Sequence, residues 1–538
     1  MFFDSRRSAV LALNGMVATS QPLAAQAGLQ TLIQGGNAVD AAVAAAAALN
    51  VVEPESTGVG GDMFALIWHD REKKVHALNG SGRAPAAASI DQLRAVGHRQ
   101  MPHEGVFSVS VPGTVHGWET IIREHGTMPL AEALKPAIRY AEEGFPVSDY
   151  IAYQWSGQGP RLSAHPSGQE MLLDGRPPRQ GEVIKLPTLA KTLRAVAEGG
   201  SEAFYHGPIA DKIARYVQDL GGWITTEDLA AHTSDWDEAI STDYRGVTCW
   251  ECPPNGQGIA ALEALNIVEG FDIASMPPQG VNRYHHLIEA MRLAFADAYR
   301  YVADPRMSDV PATELLSKDY ASRRRDLIDP ERAMRSAPHG SINGDITAMG
   351  GGGGDTVYVS VVDGQGNACS FINSVYINFG SGLVVPDTGI VLQNRAALFS
   401  LEPDHPNALA GGKRPYHTII PAMATRGGEL YLCYGVMGGF MQPQGHLQVM
   451  TNMVDYGMDP QAALNALRFQ VIGDTVLIEE ELPPEVIGGL QSMGHQLQMI
   501  RGHARVGMGG GQVIQRNPET GVLWAGSEPR KDGCAVGY

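Results

Sequence analysis

Apolar positions fall in two registers along the chain. Spacing of i, i+3, i+4 predicts helices in "MPLAEALKPAIRYAEEGFPVS", in "LPTLAKTLRAVAEGGSEAFYHGPIADKIARYVQDLGG" and in "VNRYHHLIEAMRLAFADAYRYVADP", the last a single long helix ended by Pro305. Near the start, "SQPLAAQAGLQTLIQGGNAVDAAVAAAAALNVVEP" reads as a helix, a Gly-Gly-Asn break, and a second helix from Ala38 to Leu49. Eight alanines in that second helix allow close packing and predict a central position. "DMFALIWHD" and "KKVHALNGSGRAP" read as short strands. From Thr356 the pattern changes. Thr356–Val362 is β-rich, 363–367 is a turn and "ACSFINSVYI" is a second β-rich run, which together predict a hairpin. "LYLCYGV" and "GVLWAGS" add later strands.

The N-terminal "RRSAVLALNGMVATSQPLAAQA" holds an apolar run, Ala9–Leu13, too short for a signal h-region, so it reads as the first strand and helix start. No segment reaches 18 apolar residues, and no membrane span is expected. Among 538 residues, 44% are hydrophobic and 18% charged, which fits a globular chain with a large core. The formal net charge of -18 argues against nucleic acid or an anionic membrane as partner, though a few local arginines can still hold a small anion. Five cysteines, sparse and odd in number, suggest no disulfide framework and fit a reducing, cytoplasmic setting. Cys249 and Cys252 have CxxC spacing, but no second ligand pair accompanies them, and "GVTCWECPP" reads as one face of a strand.

The stretch "MGGGGGDTVYVSVVDGQGN" carries the main chemical question. Five glycines followed by Asp355 and Thr356 are either a flexible linker or a place where the 355–356 bond must bend into an unusual geometry. An internal threonine hydroxyl is a poor nucleophile. At a free N-terminus its own α-amine, with a pKa of roughly 7.7–8.0, is a general base beside it. Such a residue arises only by cleavage of the preceding bond: the hydroxyl attacks the Asp355 carbonyl, the acyl group moves to oxygen, and water cleaves the ester.

Longer stretches resemble the γ-glutamyltransferase (γ-glutamyl transpeptidase) family of N-terminal-nucleophile hydrolases. They include "GGNAVDAAVAAAAALNVVEPESTGVGGDMF", "VPGTVHGW", "GDTVYVSVVDGQGNACSFINSVYINFGSG", "GKRPYHTIIPAM", "GVMGGFMQPQGHLQVMTNMVDYGMDPQAALNALRF" and "GSEPRKDGCAVGY". The resemblance covers nearly the whole chain. It implies an α+β fold, a four-layer αββα sandwich, in which a large chain (1–355) and a small chain (356–538) form one composite domain. It makes Asp355–Thr356 the cleavage site and Thr356 the nucleophile. Gly438 and Gly439 become the pair whose N–H groups form an oxyanion hole, and Ser374 stands where a second hydroxyl supports the nucleophile. Asn394 lies in "LQNRAALFS", the loop that closes over the substrate.

Several matching positions depart from the family pattern. Arg395 and Leu398 replace the Gln and Asp that contact the substrate's α-amino group, Tyr376 replaces an Asn, and His417 and Thr418 replace paired serines that grip a carboxylate. Ser81 stands at the position of the carboxylate-binding arginine, with Arg83 two residues on. A charge pair at about 4 Å and an effective dielectric near 20 is worth roughly 4 kcal/mol, so these exchanges are large enough to decide specificity. They point away from a γ-glutamyl amine and toward a small anionic amide of the oxamate type, hydrolysed with release of ammonia. Substrate-binding candidates are therefore Arg395, Arg83, Asn394, Tyr376, His417 and Thr418. No metal or organic cofactor is expected. The assembly implied is a heterodimer of two chains cut from one precursor, which leaves further dimerisation open.

The alternatives are a γ-glutamyltransferase or glutathione hydrolase proper, a cephalosporin-acylase-like enzyme, and an uncleaved binding protein. A metallohydrolase would use His285, His286 and Glu289. Adjacent histidines diverge by about 100° on a helix, and of the two only His286 is read as sharing a face with Glu289. Gly58-Val-Gly-Gly61 lacks a following GK[ST], and "GSGRA" is not GxSxG, so neither a nucleotide site nor an α/β-hydrolase elbow is read here.

Overall fold

The structure, a computed structural model, describes residues 7–340 and 355–538. The glycine run Gly350–Gly354 lies outside the described residues, as does the Asp355 side chain.

Two seven-stranded antiparallel sheets stack face to face. One runs Val10–Ala12, Leu523–Ser527, Gly510–Arg516, Glu429–Met437, Ala422–Arg426, Val247–Glu251, Ile240–Tyr244. The other runs Cys534–Gly537, Gly15–Thr19, Asp355–Asp363, Ala368–Tyr376, Asp62–His69, Lys74–Gly80, Asp235–Asp237. Each sheet contains strands from both sides of the 355–356 bond, hydrogen-bonded to one another. The strand opened by Asp355 pairs with Gly15–Thr19 on one edge and with its hairpin partner Ala368–Tyr376 on the other.

A strand covered on both faces is largely apolar at successive positions. Val357, Val359 and Val361 point to an outer helical layer that includes the helices Ala38–Val52, Leu130–Glu143 and Pro187–Gly199. Tyr358 and Val362 point inward, where they meet Met423, Cys433 and Ile514 of the other sheet. Gly435 permits the closest approach: a Cβ there would lie 2.5 Å from the Tyr358 ring. Helices Gly258–Glu269, Val281–Tyr301 and Met441–Val454 cover the far side of the first sheet. The result is the expected four-layer αββα sandwich.

The alanine helix is buried along its whole length, at every residue from Ala38 to Val52, and Asn37 and Asp40 cap its start reciprocally. Two sequence expectations need correction. The long helix ends at Tyr301, because Val302 turns to extended backbone before Pro305 is reached. Cys249 and Cys252 do not share a face. Three residues apart along an extended segment, they enter different cores, Cys249 the helix-covered one and Cys252 the one between the sheets.

Candidate active site

Thr356 sits where the hairpin register slips. Asp355 pairs with Tyr376 but Val357 pairs with Asn373, so the single residue Thr356 faces both Ser374 and Val375. A bulge of this kind re-aims a side chain out of the regular ladder. Thr356 is buried, and its Oγ1 lies 3.1 Å from Ser374 Oγ. Ser374 Oγ accepts hydrogen bonds from the Tyr376 N–H at 2.8 Å and from Arg395 Nη2 at 3.1 Å.

Arg395 opens a short 3-10 turn and is fully buried. Its Nη1 donates to Thr418 Oγ1 at 2.6 Å, its guanidinium lies 4.7 Å from the Tyr376 ring centroid, and its Nε has no hydrogen-bond partner. No described carboxylate lies within ion-pair distance of it. Burial pushes its pKa down to about 10, with Asp62 and Tyr376 acting in the opposite sense. Tyr376 itself adopts φ 82, a left-handed conformation uncommon for a tyrosine, which lays its ring under the guanidinium. Only two 3.1 Å steps, through Ser374, separate the Arg395 guanidinium from the Thr356 hydroxyl.

Behind this pair stands a group that sequence reasoning did not single out. Asp62 Oδ1 accepts from Gly82 N, Gly113 N and Gln393 Nε2 at 2.9, 3.2 and 2.9 Å. Its Oδ2 lies 3.0 Å from His417 Nε2. Desolvation nonetheless pushes its carboxyl up to about 6, against the fields of Arg395 and Arg414. His417 Nδ1 accepts from the Ile419 N–H, so Nε2 carries the proton and donates to Asp62. Burial, with Arg395 and Arg414 nearby, holds its pKa well below the usual value, and it is neutral. Both ring nitrogens are thus occupied, and His417 serves Asp62 rather than offering a nitrogen to a ligand.

Arg83 and Asn394 are likewise committed. Arg83 pairs with Asp235 at 3.1 Å, a carboxylate it shares with Arg306 and Arg414. Asn394 donates to His103 O and accepts from Ile377 N, so it braces the loop at both polar ends. Of the sequence candidates, Thr356, Ser374, Arg395, Tyr376 and Thr418 come together; Arg83 is drawn toward Asp235. Asp62, Gln393 and Arg414 were missed. The signal for Asp62 was an acid between two glycines and a wholly apolar strand, in "GVGGDMFALIW".

Gly438 and Gly439 form the junction between the strand Glu429–Met437 and the helix Met441–Val454. Their φ values of 130 and 58 lie where a side chain is strained, and a Cβ on Gly438 would come within 3.1 Å of Gly509 Cα. Gln257 Nε2 holds this turn through Gly439 O at 2.9 Å and Thr418 O at 2.7 Å, tying the glycine pair to the Arg395 partner.

The metal reading also changes. His286 turns away, donating through Nδ1 to Asn282 O and packing on Phe271. It is His285 that shares a face with Glu289, at i, i+4, and a distant residue, His495, joins them. Sequence spacing carries no trace of that third member.

A profile of the gamma-glutamyltranspeptidase family matches residues 24–538. The chain is 38% identical to the glutathione hydrolase-like YwrD proenzyme of Bacillus subtilis, over 98% of this chain and 99% of that one. It is 36% identical to the oxamate amidohydrolase proenzyme of Klebsiella pneumoniae, over 99% and 100%. The crystal structure of cephalosporin acylase from Bacillus halodurans superposes with a TM-score of 0.93 at 47% identity, over 100% of this chain and 99% of that one. With its αββα layers, its hydroxyl pair on a bulged hairpin and these whole-length matches, the chain belongs to the gamma-glutamyltranspeptidase family of amide-cleaving N-terminal-nucleophile hydrolases.

Proposed function

We propose that the chain is a self-processing N-terminal-threonine amidohydrolase that cleaves small amine-free anionic amides of the oxamate type, releasing ammonia. The observation that supports this reading is Arg395, a buried cation two hydrogen-bond lengths from Thr356 with no described carboxylate in reach. A buried cation is costly unless something pairs with it, and a substrate carboxylate meets that need. A γ-glutamyl ammonium group would be repelled there. The short path from guanidinium to hydroxyl favours a carboxylate close to the scissile carbonyl over one at the end of a long acyl chain.

In the reaction, Thr356 Oγ1 attacks the amide carbon and its proton passes to the Thr356 α-amine. N–H groups of Gly438 and Gly439 hold the oxyanion. The C–N bond breaks, the α-ammonium returns the proton to the leaving nitrogen, and ammonia departs. Water, deprotonated by the same amine, attacks the ester; its C–O bond breaks, Thr356 regains its proton and the dicarboxylate leaves. Maturation uses the same hydroxyl against the Asp355 carbonyl.

Rapid quenching of the enzyme with oxamate, followed by intact-mass measurement, tests this. The small chain should gain the mass of one oxalyl group on its first residue. Labelling elsewhere, or none with ammonia still released, would remove Thr356 from the reaction. A second reading, a longer-acyl acylase, is favoured by the 47% identity to the cephalosporin acylase. The same experiment with a glutaryl amide decides between them by which acyl group accumulates faster.

A further inference from the structure

Away from the nucleophile, the long helix Val281–Tyr301 carries His285 and Glu289 on one face. They meet His495, in the turn before the strand Gln496–Ile500, and all three are buried. One donor atom from each lies within 4.8 Å of the others.

The proton count in this cluster is decisive. His285 Nε2 lies 2.7 Å from Asp329 O, and a carbonyl only accepts, so Nε2 carries the hydrogen and Nδ1 is a bare lone pair. That lone pair faces His495 Nε2 at 2.9 Å. A hydrogen on His495 Nε2 satisfies this contact but leaves His495 Nδ1 as a second lone pair, 3.9 Å from Glu289 Oε1. Neither of these two atoms has a hydrogen-bond partner. Two buried acceptors then face each other with no donor between them, an arrangement that costs free energy. Glu289 Oε2 is already fixed, accepting from Met334 N at 2.8 Å.

These are the features of a metal-ligand set. One imidazole is locked in its tautomer by a backbone carbonyl and the carboxylate is oriented by a backbone N–H, as outer-shell partners hold metal ligands elsewhere. Metal–ligand bonds of about 2.0–2.1 Å at a tetrahedral ion put donors roughly 3.3 Å apart. The 2.9 Å between His285 Nδ1 and His495 Nε2 is close to that spacing, and one donor atom of each of the three residues lies within 4.8 Å of the others. Two imidazoles and one carboxylate suit a borderline divalent ion of the zinc type, with water or a backbone oxygen completing the shell. Arg292, whose Nε lies 3.5 Å from Glu289 Oε1, offsets the carboxylate charge and moderates the affinity.

We infer that His285, Glu289 and His495 form a structural site for a zinc-type divalent cation that fastens the large chain to the small one. If the chain is cut before Thr356, His285, Glu289, Asp329 and Met334 belong to the large chain and His495 to the small. Ala333 N already donates to Met493 O at 2.8 Å across the same seam. The site plays no part in amide cleavage.

The test uses the untagged, matured protein, stripped with chelator and then equilibrated with zinc alone at about 10 μM. It should bind about one zinc per chain pair, and its Tm should rise by several degrees. Cobalt should give visible bands of a nitrogen–oxygen site, and the rate of amide cleavage should stay the same with or without metal. His495→Gln and Glu289→Gln should each abolish the bound equivalent and the Tm gain. Should either variant fail to fold, anomalous scattering from zinc-soaked wild-type crystals must place the ion between His285 and His495. No bound zinc in the wild type, or zinc retained by His495→Gln and held elsewhere, overturns the inference.

Discussion

At the scale of single residues, the account rests on one hydroxyl and one guanidinium. Thr356→Ala should remain a single chain on denaturing electrophoresis. The native sequence should give fragments of 355 and 183 residues (538 − 355), near ~38 and ~20 kDa of the 57.5 kDa total. Efficient cleavage of the variant would assign self-processing to another group. Arg395→Ala should leave cleavage intact, because that step uses no substrate. It should raise KM for an amine-free anionic amide by about 10–100-fold, corresponding to ~1.5–3 kcal/mol for a charge-assisted contact. An unchanged KM would make Arg395 a purely structural cation. Asp62 adds a pH signature. Its carboxyl titrates near 6, pushed up by burial. Above that value its anion partly neutralises the field of Arg395; below it, the substrate carboxylate alone balances the guanidinium. KM for the anionic amide should therefore fall as pH falls through about 6. Loss of the α-amine base should lower kcat at a separate inflection, near 7.7–8.0. A KM profile that rises on acidification would contradict this coupling.

At the scale of elements, the hairpin and the alanine helix show what the sequence made legible and what it concealed. The hairpin 355–376 was readable because its strands are rich in β-branched and aromatic residues on either side of a polar turn. The central place of Ala38–Val52 was readable because alanine is the side chain that lets other elements come so near. Ala45→Leu should overpack this helix at a cost of about 1–3 kcal/mol and lower Tm accordingly. A thermal melt equal to the wild type would mean the layer has slack that the burial of Ala45 does not suggest. What stayed hidden were convergences across long separations. Asp62 meets Gln393 and His417 through bonds spanning 331 and 355 residues. His495 reaches His285 across 210. Neither periodicity nor local spacing records such meetings. The bulge at Thr356 was hidden too, because a register slip depends on what both strands pack against. His417 was named from its matching position alone, which carries no record of how its two nitrogens are taken up by Asp62 and Ile419.

At the scale of the whole molecule, the shared sheets explain how a chain cut between Asp355 and Thr356 would stay one body. Strands numbered before and after 355 pair directly in both sheets, so separating the two parts would break ladder pairs in each. The specificity proposed here is likewise a property of the assembled molecule. The large part supplies Asp62 and its Gly82 and Gly113 donors, and the small part supplies Thr356, Ser374, Arg395 and Thr418. The most direct test is the ratio of kcat/KM for oxamate to that for a γ-glutamyl anilide, measured on the same preparation of matured wild-type enzyme. The account predicts a ratio well above one. A ratio well below one, with Arg395→Ala changing neither rate, would contradict it and return the pocket to γ-glutamyl substrates.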